Sequence, residues 1–328
     1  MSRLIDLFGR SMSYLRLSVT DRCDMRCVYC LPVEGAPHSD RQEVLTFEEY
    51  RRLAQVLTRL GVNQIRVTGG EPLLRKDLPV LVRYLSDIDG LLDLSLTTNA
   101  SRLAPMAAGL KAAGLNRINI SLDSLRPESF SRITRGSHLA ATLDGIDRAI
   151  EAGFSPVKVN TVVMRGVNDG ELCDLVRFSI ERGVTIRFLE IMPLGAVGAE
   201  NRDRFMPFLE SKQIIEREFA LEPLPFVPGS TTLEFRLKGT SSKIGFINPV
   251  SERFCSSCNR LRLSARGRLQ FCLAHEEGVD LKAPLRAGWS DSALEELVLE
   301  SALRKPAGNR FAEDPEPVYT ITMSGLGG

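Results

Sequence analysis

Six runs of β-branched and aliphatic residues, each separated from the next by room for a helix, constrain this chain more than any other feature. They are LRLSV (15–19), QIRVT (64–68), DLSLT (93–97), RINISL (117–122), VKVNTVV (157–163) and TIRFLEI (185–191). Such runs read as buried strands of a parallel sheet, which is covered on both faces. The clearest helix between them is TFEEYRRLAQVLTRLG, where Thr46 stands at the N-cap and Glu49 follows at the capping-box spacing. Its apolar positions 47, 50, 53, 54, 57 and 60 share one face, and Gly61 ends it. Further helices are expected at 77–86, 102–113, 138–152 and 170–182. Strand and helix alternating six times predict a parallel α/β sheet, either open and doubly wound or a barrel lacking its last two units.

From about residue 223 the alternation stops. TTLEFRL, KIGFINP, RLRLSA and RLQFCL are expected as short antiparallel strands, followed by a helix near 291–304 and a polar tail. The expected division is a core over 1–222 and a smaller unit over 223–328 that covers it. A formal net charge of +1 excludes whole-molecule attraction to nucleic acid or an anionic membrane, so any anion must be held by local clusters. The first residues lack the apolar region of a signal peptide, and no apolar run approaches the roughly twenty residues of a membrane span. The chain is therefore expected in the cytoplasm, where thiols stay reduced and seven cysteines are better metal ligands than disulfide partners.

Three of those cysteines crowd into CDMRCVYC, where Cys23, Cys27 and Cys30 are spaced C-x3-C-x2-C directly after the first strand. A [4Fe–4S] cube held by three thiolates keeps its fourth iron open to a small molecule. The alternative is a structural zinc site with a remote fourth ligand. A second triad, Cys255, Cys258 and Cys272, repeats the pattern, with a zinc ribbon recruiting His275 as its alternative. Arg260, Arg262, Arg266 and Arg268 lie between these ligands. They read either as a solvated basic strand or, for Arg260 and Arg262 on one strand face, as forks for phosphate oxygens. Cys173 lies in a helical stretch and reads as a core or half-buried thiol. GGEP (69–72), TTN (97–99), SLDS (121–124) and EIMP (190–193) all follow strand ends, the rim that carries active sites in parallel α/β folds. Lys158 and Asn160 alternate along the fifth strand, and an inward lysine there needs an anionic partner.

CDMRCVYC followed by GGEP resembles the radical S-adenosylmethionine (SAM) superfamily. LRLSVTDRC, RVTGGEPLLR, LTTN, the C-x2-C-x13-C of the second triad and the terminal GG are similar to its GTP 3′,8-cyclase family of molybdenum cofactor biosynthesis. One departure is Ala100, where the family usually has glycine. The resemblance implies an incomplete (β/α)6 TIM-type barrel with a smaller C-terminal α+β region covering its open side. It implies that Cys23, Cys27 and Cys30 hold a [4Fe–4S] cluster that binds SAM, with Tyr29, Gly70, Ser121 and Met192 beside SAM. Cys255, Cys258 and Cys272 would hold a second [4Fe–4S] cluster facing the guanine. Arg16, Arg66, Thr97, Lys158, Arg187, Arg260 and Arg262 would bind GTP, and Gly327 and Gly328 would reach into the active site.

The implied reaction uses a 5′-deoxyadenosyl radical to take the C3′ hydrogen of GTP, after which C3′ attacks C8 and gives (8S)-3′,8-cyclo-7,8-dihydroguanosine 5′-triphosphate. An electron donor feeds the enzyme, and cyclic pyranopterin monophosphate synthase receives the product. No nucleic acid and no membrane take part, and a homodimer is among the assemblies open to it. Two rivals share some of these signals. One is a peptide-modifying radical SAM enzyme with auxiliary clusters, which would bring more than three C-terminal cysteines. The other is a metal-stabilised binding module, which would need neither GGEP nor the polar rim.

Overall fold

A computed structural model describes residues 3–36, 38–309, 311 and 325. Six parallel strands run in chain order around a partial barrel: β1 (Tyr14–Ser18), β2 (Gln64–Thr68), β3 (Asp93–Thr98), β4 (Arg117–Ser121), β5 (Val157–Val163) and β6 (Thr185–Glu190). Between them lie α1 (Phe47–Arg59), α2 (Leu78–Ser86), α3 (Ala107–Ala112), α4 (Pro127–Thr134), α5 (Leu139–Glu151) and α6 (Leu172–Arg182). The barrel does not close: β1 and β6 each pair outward with C-terminal strands instead of with each other. Among the described residues no helix is long and apolar enough to cross a membrane.

Helix α1 forms as its sequence dictates. Thr46 caps the Glu49 amide while the Glu49 carboxylate reaches back to the Thr46 amide. Tyr50, Leu53, Ala54 and Leu57 are buried from solvent on its inner face, and Gly61 adopts φ +106° just beyond the C-cap. The expected helix at 102–113 is shorter, because residues 101–106 are turns and only Ala107–Ala112 is helical. Helix α4, begun by Pro127 at its first turn, has no counterpart among the sequence expectations. Neither do α7 (Gly198–Asp203) and α8 (Phe208–Glu216).

After α8 come β7 (Leu221–Pro223), β8 (Leu233–Leu237), β9 (Lys243–Ile247), β10 (Arg260–Leu263), β11 (Arg268–Gln270) and β12 (Gly278–Asp280), then α9 (Lys282–Arg286) and α10 (Asp291–Ala302). The expectation of purely antiparallel C-terminal strands needs correcting. β9 pairs parallel to β6, β10 pairs parallel to β1, and only their outer neighbours are antiparallel. Alternating side chains reveal which face of a strand is buried but not its direction, which is set by the partner it meets. Phe246 settles that partner for β9, since its ring is fully buried with centroids 5.8 Å from Phe188, 6.0 Å from Phe208 and 5.7 Å from Phe235. One twelve-stranded sheet results, with β12 and β7 at its edges. The chain therefore crosses from one side of the opening to the other between β9 and β10, carrying Cys255 and Cys258 with it.

Candidate active site

Strand register places polar side chains in rows on the concave face of the sheet. Arg262, Arg16, Arg66 and Ser95 stand side by side across β10, β1, β2 and β3. Thr97, Asn119 and Lys158 form a row across β3, β4 and β5, and Ser121, Asn160 and Arg187 form another across β4, β5 and β6. Apart from Ser95 and Asn119, all of them line a single cavity of about 610 Å³. So do Cys23, Cys27, Tyr29, Cys30, Gly70, Met192, Cys255, Cys258, Arg260 and Cys272. Every expected site residue that is described thus faces one space; Gly327 and Gly328 lie outside the described residues.

The cavity is electrostatically lopsided. Arg16, Arg66, Arg117, Lys158, Arg187, Arg260 and Arg262 share it with the carboxylates of Glu71, Asp123, Glu190 and Glu234. Three of these four carboxylates are committed to holding loops. Glu71 accepts from the Leu73 amide, the Thr98 hydroxyl at 2.7 Å and the Asn99 amide at 2.7 Å. Asp123 accepts from the Tyr29 hydroxyl at 2.9 Å and the Val162 amide at 2.8 Å. Glu190 accepts from the Phe208, Val250 and Ser251 amides and from the Ser251 hydroxyl. Only Glu234 answers a cation, reaching Lys158 at 3.8 Å, the anionic partner that an inward lysine demands.

The imbalance shows in the cations themselves. Burial, followed by repulsion from Arg262 and Arg66, holds the Arg16 guanidinium well below its ordinary value. Burial and then Arg66 bring Arg187 down to about 9, and burial and then Arg260 bring Arg262 down to about 10. Lys158 falls to about 8, chiefly by burial and next by Arg187. An anion entering this space would relieve all four. Some of the polar atoms are also unsatisfied: the Thr97 hydroxyl and one Arg260 nitrogen are buried with no hydrogen-bond partner among the described residues.

Several residues that the sequence reading missed complete the wall. Tyr14 is sandwiched between two guanidiniums, Arg66 at 5.3 Å and Arg260 at 5.9 Å from its ring centroid. Asn119 takes a 2.5 Å bond from Arg187, which also donates to Asn160 at 2.8 Å. Gly245 makes room for that arginine, since a Cβ there would lie 3.2 Å from its Cγ and 2.4 Å from Thr232.

The first cysteine loop is tied to the TTN loop by Asp24, which accepts from the Asn99 amide nitrogen and the Ser101 hydroxyl, both at 2.8 Å. A Cβ on Gly70 would meet the Arg22 carbonyl oxygen at 2.2 Å, so glycine there lets GGEP lie against the cysteine loop. Ala100 adopts φ +61°, confirming a tight turn at the position where resemblance expected glycine. A non-glycine residue in that region costs roughly 1–2 kcal/mol. Burial pushes the Cys23 thiol up to about 12 and the Cys27 thiol well above its ordinary value, so without a metal both stay protonated.

The second triad is braced differently. Arg10, itself paired with Asp6 at 2.6 Å, donates to the Cys255 carbonyl at 2.8 Å. Cys258 sits below its ordinary value: burial pushes it up, but Lys305 and Arg260 outweigh that. Burial raises Cys272. His275 uses Nε2 on the Gly308 carbonyl at 3.1 Å. Among the described residues no three His, Cys, Asp or Glu side chains are grouped to hold a single metal ion. Cys173 lies apart, half-buried against the Ile214 carbonyl, with its thiol raised to about 11 chiefly by burial.

Residues 17–179 match the Radical SAM superfamily and residues 184–311 match Molybdenum Cofactor Synthesis C. The GTP 3′,8-cyclase of Hydrogenovibrio crunogenus is 43% identical over 99% of both chains. That of Ectopseudomonas mendocina is 47% identical over 100% of this chain and 99% of its own. In fold, the chain is similar to Streptococcus suis SuiB bound to S-adenosylmethionine, with a TM-score of 0.61 and 14% identity over 92% of this chain and 68% of that one. The superfamily implies a [4Fe–4S] cluster and SAM as cofactors. The chain belongs to the GTP 3′,8-cyclase family of the radical SAM superfamily.

Proposed function

We infer that this protein converts GTP to (8S)-3′,8-cyclo-7,8-dihydroguanosine 5′-triphosphate, the first step of molybdenum cofactor biosynthesis. The observation that carries this reading is one cavity lined by both cysteine triads and by a row of cations. Cys23, Cys27 and Cys30 hold the first cluster, and Tyr29, Gly70, Ser121 and Met192 surround SAM. Tyr29 is kept in place by Asp123, and the same carboxylate anchors β5 through Val162. When bound, the cluster and SAM supply the one-electron chemistry that removes the C3′ hydrogen of GTP. Cys255, Cys258 and Cys272 would hold a second [4Fe–4S] cluster, whose coordination chemistry would be offered to guanine.

Arg16, Arg66, Lys158, Arg187, Arg260 and Arg262, with Thr97, take the triphosphate and ribose. Their task is to hold C3′ in reach of the reacting carbon and to keep water out. The cytoplasm, an electron-donor protein and cyclic pyranopterin monophosphate synthase as recipient of the product complete the setting. Anaerobically reconstituted protein given SAM, a reductant and each nucleoside triphosphate in turn should form 5′-deoxyadenosine and a cyclised product from GTP alone. Absence of any GTP-derived product on mass analysis would overturn the assignment.

Arg260→Ala and Arg262→Ala are each expected to retain both clusters and lose GTP affinity about tenfold to a hundredfold. A charge-assisted bond of about 1.5–3 kcal/mol sets that range. Equilibrium dialysis alongside iron analysis checks this, and normal GTP binding in both variants returns the two residues to a structural role.

Lys158 gives the site a pH dependence. Its folded value of about 8 lies below the roughly 10.4 of a free lysine. Without GTP, stability therefore rises between about pH 8 and pH 10.4, because the unfolded chain still holds the proton that the folded one sheds. A triphosphate beside the ammonium favours its charged form, so GTP binding near pH 8 should take up a proton, and affinity should fall as pH rises further. Calorimetry in buffers of different ionisation enthalpy measures the uptake, which Lys158→Met should remove.

A further inference from the structure

Lys305, just beyond α10, is 3% exposed. Its ammonium donates to the Arg260 carbonyl at 2.9 Å, to the Phe271 carbonyl at 2.5 Å and to Cys258 Sγ at 3.8 Å. Those bonds occupy all three of its N–H donors. Only one of these partners, the Cys258 sulfur, is able to carry negative charge. Asp6, the carboxylate on the neighbouring N-terminal segment, is committed to Arg10 at 2.6 Å. A lysine taken out of water and given no carboxylate is costly to keep, and its placement is specific. Arg260 follows Cys258 by two residues and Phe271 precedes Cys272 by one, so one ammonium bridges the two segments that carry the triad.

We propose that Lys305 is the built-in counter-cation of the second iron–sulfur site, donating to the Cys258 sulfur and stabilising the cluster's reduced state. This rests on the reading that the second triad binds a cluster. Neutral groups donate to Cys255 and Cys23: the Asn309 side chain on Cys255 at 3.6 Å, and the Met25 amide and Asn99 side chain on Cys23 at 3.4 and 4.0 Å. A fixed positive charge favours the state with the extra electron, so Lys305 moves the second cluster to a more positive reduction potential.

The test uses the full-length chain with Cys23, Cys27 and Cys30 replaced by alanine, so that only the second cluster is observed. Lys305→Arg, Lys305→Gln and Lys305→Met are introduced into it, and each protein is reconstituted anaerobically. Iron content, iron loss to a ferrous chelator, the midpoint potential followed by electron paramagnetic resonance, and the circular dichroism spectrum are measured. The glutamine and methionine variants should show a more negative midpoint and lose iron about tenfold faster or more, the range for a disturbed outer-shell partner. The arginine variant should stay near the parent. Should the methionine variant not fold, the contrast of glutamine with arginine decides the matter. A parental midpoint and parental iron retention in the glutamine variant, even with a lowered melting temperature, would reduce Lys305 to a tether. A parent that binds no iron overturns the two-cluster reading and the proposal together, and is recognised before any lysine variant is compared.

Discussion

Replacing Cys23, Cys27 and Cys30 by alanine is expected to remove about half of roughly eight irons and all cleavage of SAM, whereas replacing Cys255, Cys258 and Cys272 should remove the other half and spare uncoupled SAM cleavage. The two triads are separable because they hang on different parts of the fold. The first follows β1 and is tied to the TTN loop through Asp24, and its removal leaves Arg10 and Lys305 in contact with the second. In the second, Cys255 and Cys258 lie on the chain that crosses the opening after β9 and Cys272 follows β11, so its removal should leave Tyr29, Asp123 and GGEP in place. Cyclised product should vanish in both variants, since each lacks one wall of the reacting assembly. Iron and sulfide analysis with assays of 5′-deoxyadenosine and product checks these outcomes in both variants. Tightly bound zinc, with iron unaffected by the second replacement, would sink the two-cluster claim.

Deleting Gly327 and Gly328 is expected nearly to abolish cyclisation while the fold, both clusters and most GTP binding survive. These residues lie outside the described part of the chain, as does PVYTITM (317–323), which reads as an ordered strand from its alternation. What supports the proposal is where the described chain leads. Gly308 packs its Cα beside Cys255, where an added Cβ would lie 3.3 Å from the Cys255 Cβ, and Asn309 and Phe311 are part of the cavity wall. The chain thus arrives at the active site with its last segment still to come. Two residues without side chains would fit a narrow space that any larger residue would block, and would bring backbone donors and acceptors to the reacting groups. Their loss should therefore show in turnover more than in affinity, because orientation rather than binding is removed. Wild-type turnover in the deletion variant would make the tail dispensable.

Much of the site was legible because its chemistry is local. Cysteine spacing, GGEP and the capping box around Thr46 each act within a few residues, so their order in the chain carries their geometry. The alternation of Lys158 with Asn160, and of Arg260 with Arg262, likewise assigned each pair to one face, because a strand has a fixed two-residue period. The wall residues Tyr14, Arg117 and Asn119 were not legible. Nothing in the residues around them distinguishes an inward polar side chain from one facing solvent. Only the register of β10 against β1 and β2 lines up Arg262 with Arg16 and Arg66.

Sequence by itself determined the six-fold alternation of strand and helix, the two cysteine triads and the strand ends that carry polar residues. Those features depend on local periodicity and covalent spacing, which no partner alters. Tertiary structure alone decided that β9 and β10 extend the barrel in parallel, one at each side of its opening. It also decided that Lys305 comes to rest against Cys258 and that Asp123 holds Tyr29. The physical reason is that strand direction, counter-charge and the packing of a loop are properties of pairs. Residues as far apart in the chain as Arg10 and Cys255 acquire them only when burial of the shared core brings them together.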